Sequence, residues 1–341
     1  MHRRESPESL SGDPFPLRGS MSAPPTGIRG FVRGHALTTF FVLANGLSWL
    51  AWLPYVLSQN GLGVIGLRFP EVLGSDQVLG VLPGAYLGPV TAAFIVTATA
   101  DGRAGLRHWA GRLFRWRVNW RWYAGILTAV PVITLLATLA LPGALEEMRM
   151  PDAAVLIAYL PMLVGQFFTT AVAEEPGWRD FALPRLQRRY SATIGTVVLG
   201  VLWGVWHLPL YLTHWGGWPD VTWWQPIEFV AACVPISLAM TWVFNRTHES
   251  LPMVMILHAS INTVFSLLWP QMFPSLTNRD GTHVVLIAST AAALILLAVT
   301  RGKLGLRTAG TAGRAEPAIP GPVTTSPREV AENHGRGPGS A

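Results

Sequence analysis

Glu174 and Glu175 stand side by side at the end of an apolar run, and Arg179 follows four residues after the second. In the next apolar run Trp203 and His207 are four apart, and in a later one His258 and Asn262 repeat that spacing. On a helix, residues four apart share a face about one turn apart. Glu175 and Arg179, with the acid N-terminal, are expected to form an ion pair that holds the helix end. Glu174 then points about 100° away round the helix. Pro176 cannot donate its N–H and Gly177 is permissive, so a local distortion there could aim Glu174 inward. Each cluster also has an ordinary reading. The carboxylates could reach the headgroup region and pair with Arg179, Arg185 or Arg188. His207 could make one interhelical hydrogen bond, and His258 with Asn262 could serve as interhelical glue. Taken together, two Glu, two His and an Asn on three helices suit hydrolysis. A carboxylate can act as general base on water. The histidines could bind a metal, or polarise a carbonyl with Asn262 as an oxyanion donor.

Other hydrolytic signatures are missing. There is no His-Glu-x-x-His, no Gly-x-Ser-x-Gly and no P-loop. The single cysteine, Cys233, excludes an intrachain disulfide and a Cys-based zinc site. It sits in an apolar run and reads as core or lipid-facing.

The elements that must position these residues are membrane spans. Half of the 341 residues are hydrophobic and only 13% are charged, against about 25% in soluble domains. The chain is therefore read as an all-α integral membrane protein of the cell membrane. A span needs about 20 mostly apolar residues. Eight runs qualify, at about 36–57, 77–99, 122–142, 153–175, 193–212, 227–245, 252–269 and 284–300. Arginines gather before the first run and after the second, fourth, sixth and eighth. An excess of Lys and Arg marks the cytoplasmic side, so both termini are expected there, as an even number of spans requires. The formal charge of +6 thus reports topology, and nucleic acid is not an expected partner. The 101–121 loop mixes arginines with Trp109, Trp116 and Trp120, and reads as an interfacial helix. Residues 1–30 and 306–341 are Pro, Gly, Ser and Arg-rich or Gly, Pro, Ala and Thr-rich, and are expected to be disordered. They flank a membrane domain at 31–305. Nothing before Met21 looks structural, which makes Met21 an alternative start.

These boundaries carry a conflict. With the fourth span ending at 175, Glu174 lies at the surface, His258 about 9 Å deep and His207 about 21 Å deep. The three could not meet. The fourth span is therefore expected to start later and to run past Arg179, with 191–198 interfacial and His207 shallower.

At these residues the sequence resembles the CAAX-processing and bacteriocin-processing intramembrane proteases, the CPBP or Abi family. The family pattern is Glu-Glu-x-x-x-Arg, Phe-x-x-x-His and His-x-x-x-Asn or Asp on successive membrane helices. Here these are Glu174-Glu175-Pro-Gly-Trp-Arg179, Trp203-Gly-Val-Trp-His207 and His258-Ala-Ser-Ile-Asn262. Trp203 departs from the usual Phe. The resemblance covers about residues 150–270 and implies an endopeptidase acting inside the membrane on a membrane-associated or lipidated peptide or protein. Glu174 would activate the water, His207 position it, and His258 with Asn262 stabilise the oxyanion, while Glu175 and Arg179 hold the helix. Glu174, His207 and His258 would suffice for a zinc site with an open position, but nothing in the pattern requires one. A non-catalytic scaffold or immunity protein, and a transporter using the cluster as an ion relay, are the alternative readings. Intact polar residues argue against the first. The second lacks a matching pair of interrupted helices.

Overall fold

The computed structural model describes residues 27–72 and 74–306, and among them every regular element is helical. The expected disorder at residues 1–26 and 307–341 falls outside the described residues. Residues 27–30, also expected to be disordered, belong instead to a short helix, Gly27–Gly34.

Among the described residues, eight helices are long and apolar enough to cross a membrane: Ala36–Leu57, Gln77–Ala100, Trp120–Thr138, Ala153–Arg189, Ala192–Leu212, Trp224–Arg246, Leu251–Met272 and Arg279–Thr300. The chain is a multi-pass helical membrane protein. Helices satisfy their own backbone bonds, which lipid cannot do for them. Their outer faces carry Leu50, Leu136, Ile157, Leu160, Leu294 and Val299, all exposed. So much outward apolar surface fits a hydrocarbon solvent rather than water.

The fourth span carries the acidic cluster. It runs for 37 residues, about 55 Å at helical rise, well beyond a hydrocarbon core of about 30 Å. Its first half is peripheral and leaves Leu156, Ile157 and Phe168 outside, whereas residues 173–184 are buried throughout. Two π-helical stretches, Phe167–Ala171 and Pro176–Ala182, bracket the carboxylates. Such widened turns shift the register of the side chains that follow. Pro176, which lacks an N–H, opens the second.

This geometry removes the depth conflict, in a different way from the one expected. The fourth span does run past Arg179, but it begins at Ala153, not later. Residues 192–206 are regular helix with Ala192, Gly195 and Thr196 buried, so 191–198 is not an interfacial segment. Only Tyr190 and Ser191 separate the two helices, and Ser191 Oγ caps the second by accepting the Ile194 N–H at 3.1 Å. Glu174 lies about 15 residues before this turn and His207 about 15 after it, about 22 Å along each limb. Antiparallel limbs of equal length bring them to one level. Nor is His207 inside a regular helix, since it ends Ala192–Trp206 where a 3₁₀ segment, Leu208–Leu212, begins.

Small residues let the helices close on one another. A Cβ on Gly200 would lie 2.7 Å from the Val234 Cα, and one on Gly204 would lie 2.8 Å from the Val230 Cα. The fifth and sixth spans therefore touch backbone to backbone. Gly177 does the same for the fourth span, where a Cβ would meet the Pro89 carbonyl oxygen at 2.6 Å. The seventh span packs against the third, fourth and sixth.

Candidate active site

The two adjacent glutamates have different surroundings. Glu175 is fully buried, and its Oε1 accepts from Arg179 Nη1 at 3.3 Å and from His258 Nδ1 at 2.7 Å. The expected i, i+4 ion pair is present, and it reaches a second helix. Arg179, also fully buried, donates from Nη2 to Ser237 Oγ at 3.1 Å on the sixth span. Its guanidinium lies 4.3 Å over the Trp203 ring, a cation–π contact to the fifth. One carboxylate and one guanidinium thus tie four spans together.

Glu174 takes no part in that pair. Its Oε2 accepts from the Trp203 indole N–H at 2.7 Å. Among the described residues nothing hydrogen-bonds Oε1, which leaves a basic oxygen free in a nearly dry setting. The reading in which both carboxylates pair with loop arginines does not hold: Arg185 binds Asp101 at 3.0 Å instead.

The His207 Nδ1–H donates to the Trp203 carbonyl at 2.9 Å, because a carbonyl can only accept. That fixes the tautomer and leaves Nε2 with its lone pair. The ring sits among aromatics, stacked on Trp215 at 5.5 Å and edge-on to Trp206 and Phe229. Its link to Glu174 runs through Trp203, whose ring centroid is 5.7 Å from His207 and 5.6 Å from His258. Asn262 is half-buried and donates to Thr170 Oγ1 at 3.2 Å, one turn before Glu174. The structure therefore gathers Glu174, Glu175, Arg179, Trp203 and His258 closely, with His207 and Asn262 at the margins.

The fit to a metal can be judged from these partners. Nδ1 of His258 is held by Glu175 and Nδ1 of His207 by a carbonyl, which leaves both Nε2 atoms and one oxygen of Glu174 as available donors, so the decision rests on their separation. Among the described residues no three His, Cys, Asp or Glu side chains come together as a set able to hold a metal ion.

Several contributors were not legible in advance. Trp203 was read as a bulky substitute for Phe, but its N–H is the direct partner of Glu174. A buried indole N–H needs an acceptor, and that was the available signal. Arg112 was placed on an interfacial helix. The helix exists, as Gly102–Leu113, with Arg103 and Arg107 exposed. Arg112 instead turns inward and binds Asp180 at 2.5 Å and Glu249 at 2.8 Å. Burial works against its charge, and the two carboxylates outweigh burial, so the guanidinium titrates above its ordinary value. Trp109 adds a hydrogen bond to the Pro176 carbonyl at 2.9 Å. The loop helix thus clamps the distorted turn that follows the glutamates. Cys233 is buried core, not lipid-facing.

An eight-span helical bundle with an acid and histidine cluster buried beside a distorted helix defines a membrane-embedded site. Residues 156–264, which contain all of these groups, match the family described as type II CAAX prenyl endopeptidase, Rce1-like. The chain is also 24% identical over 204 residues to CAAX prenyl protease 2 of Methanococcus maripaludis, covering 58% of this chain and 74% of that protein. Through this stretch the chain is similar to CAAX-type prenyl proteases.

Proposed function

We propose that the protein is an intramembrane endopeptidase that hydrolyses a peptide bond of a membrane-associated, lipidated substrate, with Glu174 as general base. The observation that carries this reading is the division of labour between the two glutamates. Glu175 is sealed in the core with its Oε1 bound to a guanidinium and an imidazole, whereas Glu174 is slightly exposed, is held only by a neutral indole N–H, and makes no ion pair among the described residues.

In this reading Glu174 Oε1 takes a proton from a water as that water's oxygen bonds to the substrate carbonyl carbon. His207 Nε2, fixed as an acceptor, orients the same water. His258, held at Nδ1 by Glu175, donates as an imidazolium from Nε2 to the oxyanion, and Asn262 supports it from the helix turn beside Thr170. Glu174 then returns the proton to the leaving amine as the C–N bond breaks. Arg179 and Trp203 position the carboxylates. A low-dielectric site strengthens each of these interactions. The arginine-rich side, onto which Arg112 and the Gly102–Leu113 helix pack, is assigned to the cytoplasm, and the host is the cell membrane.

The experiment is cleavage of a farnesylated peptide ending in a CAAX sequence by purified protein in liposomes. Intact protein is expected to release the C-terminal tripeptide, and Glu174→Gln and His258→Ala to release none. Cleavage unchanged in Glu174→Gln would reject the role of Glu174. A fold that binds the peptide in both forms without cutting would favour the scaffold reading.

A further inference from the structure

A cavity of about 530 Å³ lies where the linker after the Gly102–Leu113 helix meets the end of the sixth span, away from the site above. Arg115, Arg117 and Arg246 line it, and no carboxylate does. Arg115 is partly engaged, donating to the His248 carbonyl at 2.7 Å with Glu249 at 3.7 Å. Arg117 and Arg246 have no hydrogen bond or ion pair among the described residues and are exposed. Guanidiniums on one concavity without a carboxylate among its lining set up a positive field that attracts an anion. The wall includes Asn119, the N-cap of the Trp120–Thr138 helix, whose positive end adds to the same field.

The aromatic setting narrows the anion. Trp122 lines the cavity and is braced against Trp242 at 5.0 Å. Trp116 and Trp120, neighbours of the lining residues in sequence, are exposed, and Trp is enriched at the headgroup boundary of membrane proteins. Phe114, 77% exposed, forms an apolar lip on the same cavity. A soluble anion has no use for that lip, while a phosphodiester attached to glycerol and acyl chains matches both halves. We propose that this cavity binds the phosphate of an anionic phospholipid headgroup, with Arg117 and Arg246 as its principal ligands. A second basic concavity, lined by Arg33, Arg185 and Arg189, is less suited because Arg185 is already held by Asp101. The proposal stands whether or not the chain cleaves peptides.

The test uses the full chain in vesicles of mixed phosphatidylcholine and phosphatidylglycerol, followed by native mass spectrometry of the retained lipids. Intact protein is expected to retain phosphatidylglycerol selectively. The double variant Arg117→Gln, Arg246→Gln should lose about 30-fold of that preference, each charge being worth about 5-fold. Arg68→Gln, an exposed arginine in another loop, should lose none. Because both cavity arginines are exposed and unpaired, the double variant should melt with the intact protein; if it misfolds, Arg246→Gln alone is read and should lose about 5-fold. Equal retention in intact and variant proteins overturns the proposal, as does an equal loss in Arg68→Gln. Inorganic phosphate serves as the other arm. If it raises the melting temperature of the intact protein alone while lipid retention is the same in both, the ligand is a soluble phosphate and the lipid site is rejected.

Discussion

Replacing each of the two adjacent glutamates by glutamine should produce opposite phenotypes. In Glu175→Gln the fully buried Arg179 loses its carboxylate partner, 3.3 Å away, and among the described residues keeps Ser237 and the face of Trp203. His258 loses the anion at its Nδ1. Breaking a buried ion pair on one side costs about 3–5 kcal/mol because a charge is left uncompensated. Ordinary interhelical hydrogen bonds in membranes average about 0.6 kcal/mol. The larger figure applies here, since neither partner is exposed and the pair ties four spans together. Glu174→Gln behaves differently. It keeps an oxygen to accept from Trp203 and puts no unpaired charge in the core, so stability should change by less than about 1 kcal/mol. The assay is unfolding in mixed micelles, followed by tryptophan fluorescence, alongside peptide cleavage. Glu175→Gln should unfold far earlier, and Glu174→Gln should unfold normally but be inactive. The double variant Glu175→Gln, Arg179→Met removes the stranded charge and should recover most of the lost stability. A stable Glu175→Gln, or a Glu174→Gln as unstable as Glu175→Gln should be, would refute the assignment of structural and chemical roles.

Three further outcomes are expected. Trp203→Phe keeps a ring beside both histidines but deletes the 2.7 Å donor to Glu174; cleavage should fall about 10-fold or more, in line with a charged hydrogen bond worth about 1.5–3 kcal/mol, and kinetics in liposomes would measure it. Gly200→Ala places a methyl 2.7 Å from the Val234 backbone and should force the fifth and sixth spans apart at a cost of about 1–3 kcal/mol, read from the unfolding midpoint. Prolonged chelation with phenanthroline should leave cleavage intact, because no three-ligand set is assembled among the described residues; loss of activity restored by zinc would show that Glu174, His207 and His258 rearrange to bind it.

The spans were legible because lipid imposes one rule on every one of them, a run of about 20 apolar residues. Seven of the eight occur close to their expected bounds. The fourth was first bounded at 175, and the depth conflict led to its expected run past Arg179; it continues to Arg189 through Glu174, Glu175, Arg179, Asp180 and Arg185, but starts at Ala153 and not later. Charge density there looks like a loop. It is tolerated because partners distant in sequence satisfy it: Trp203, His258, Ser237 and Arg112. Spacing within one helix predicts only the Glu175–Arg179 pair, since an i, i+4 contact is local. Which of two neighbouring carboxylates stays free depends on the helices packed around them, and on two π-helical stretches that the sequence announces only through Pro176 and Gly177. His207 was placed at the right level only once the short Tyr190–Ser191 turn was known.

The most direct measurement is a comparison of membrane-fraction peptides by mass spectrometry, from cells making the intact protein or Glu174→Gln at equal levels. The account predicts a set of fragments present with the intact protein, absent with Glu174→Gln and absent again with His258→Ala, their ends marking the bond that is cut. Fragments that persist in Glu174→Gln would contradict it, and the buried carboxylate would then be a structural group.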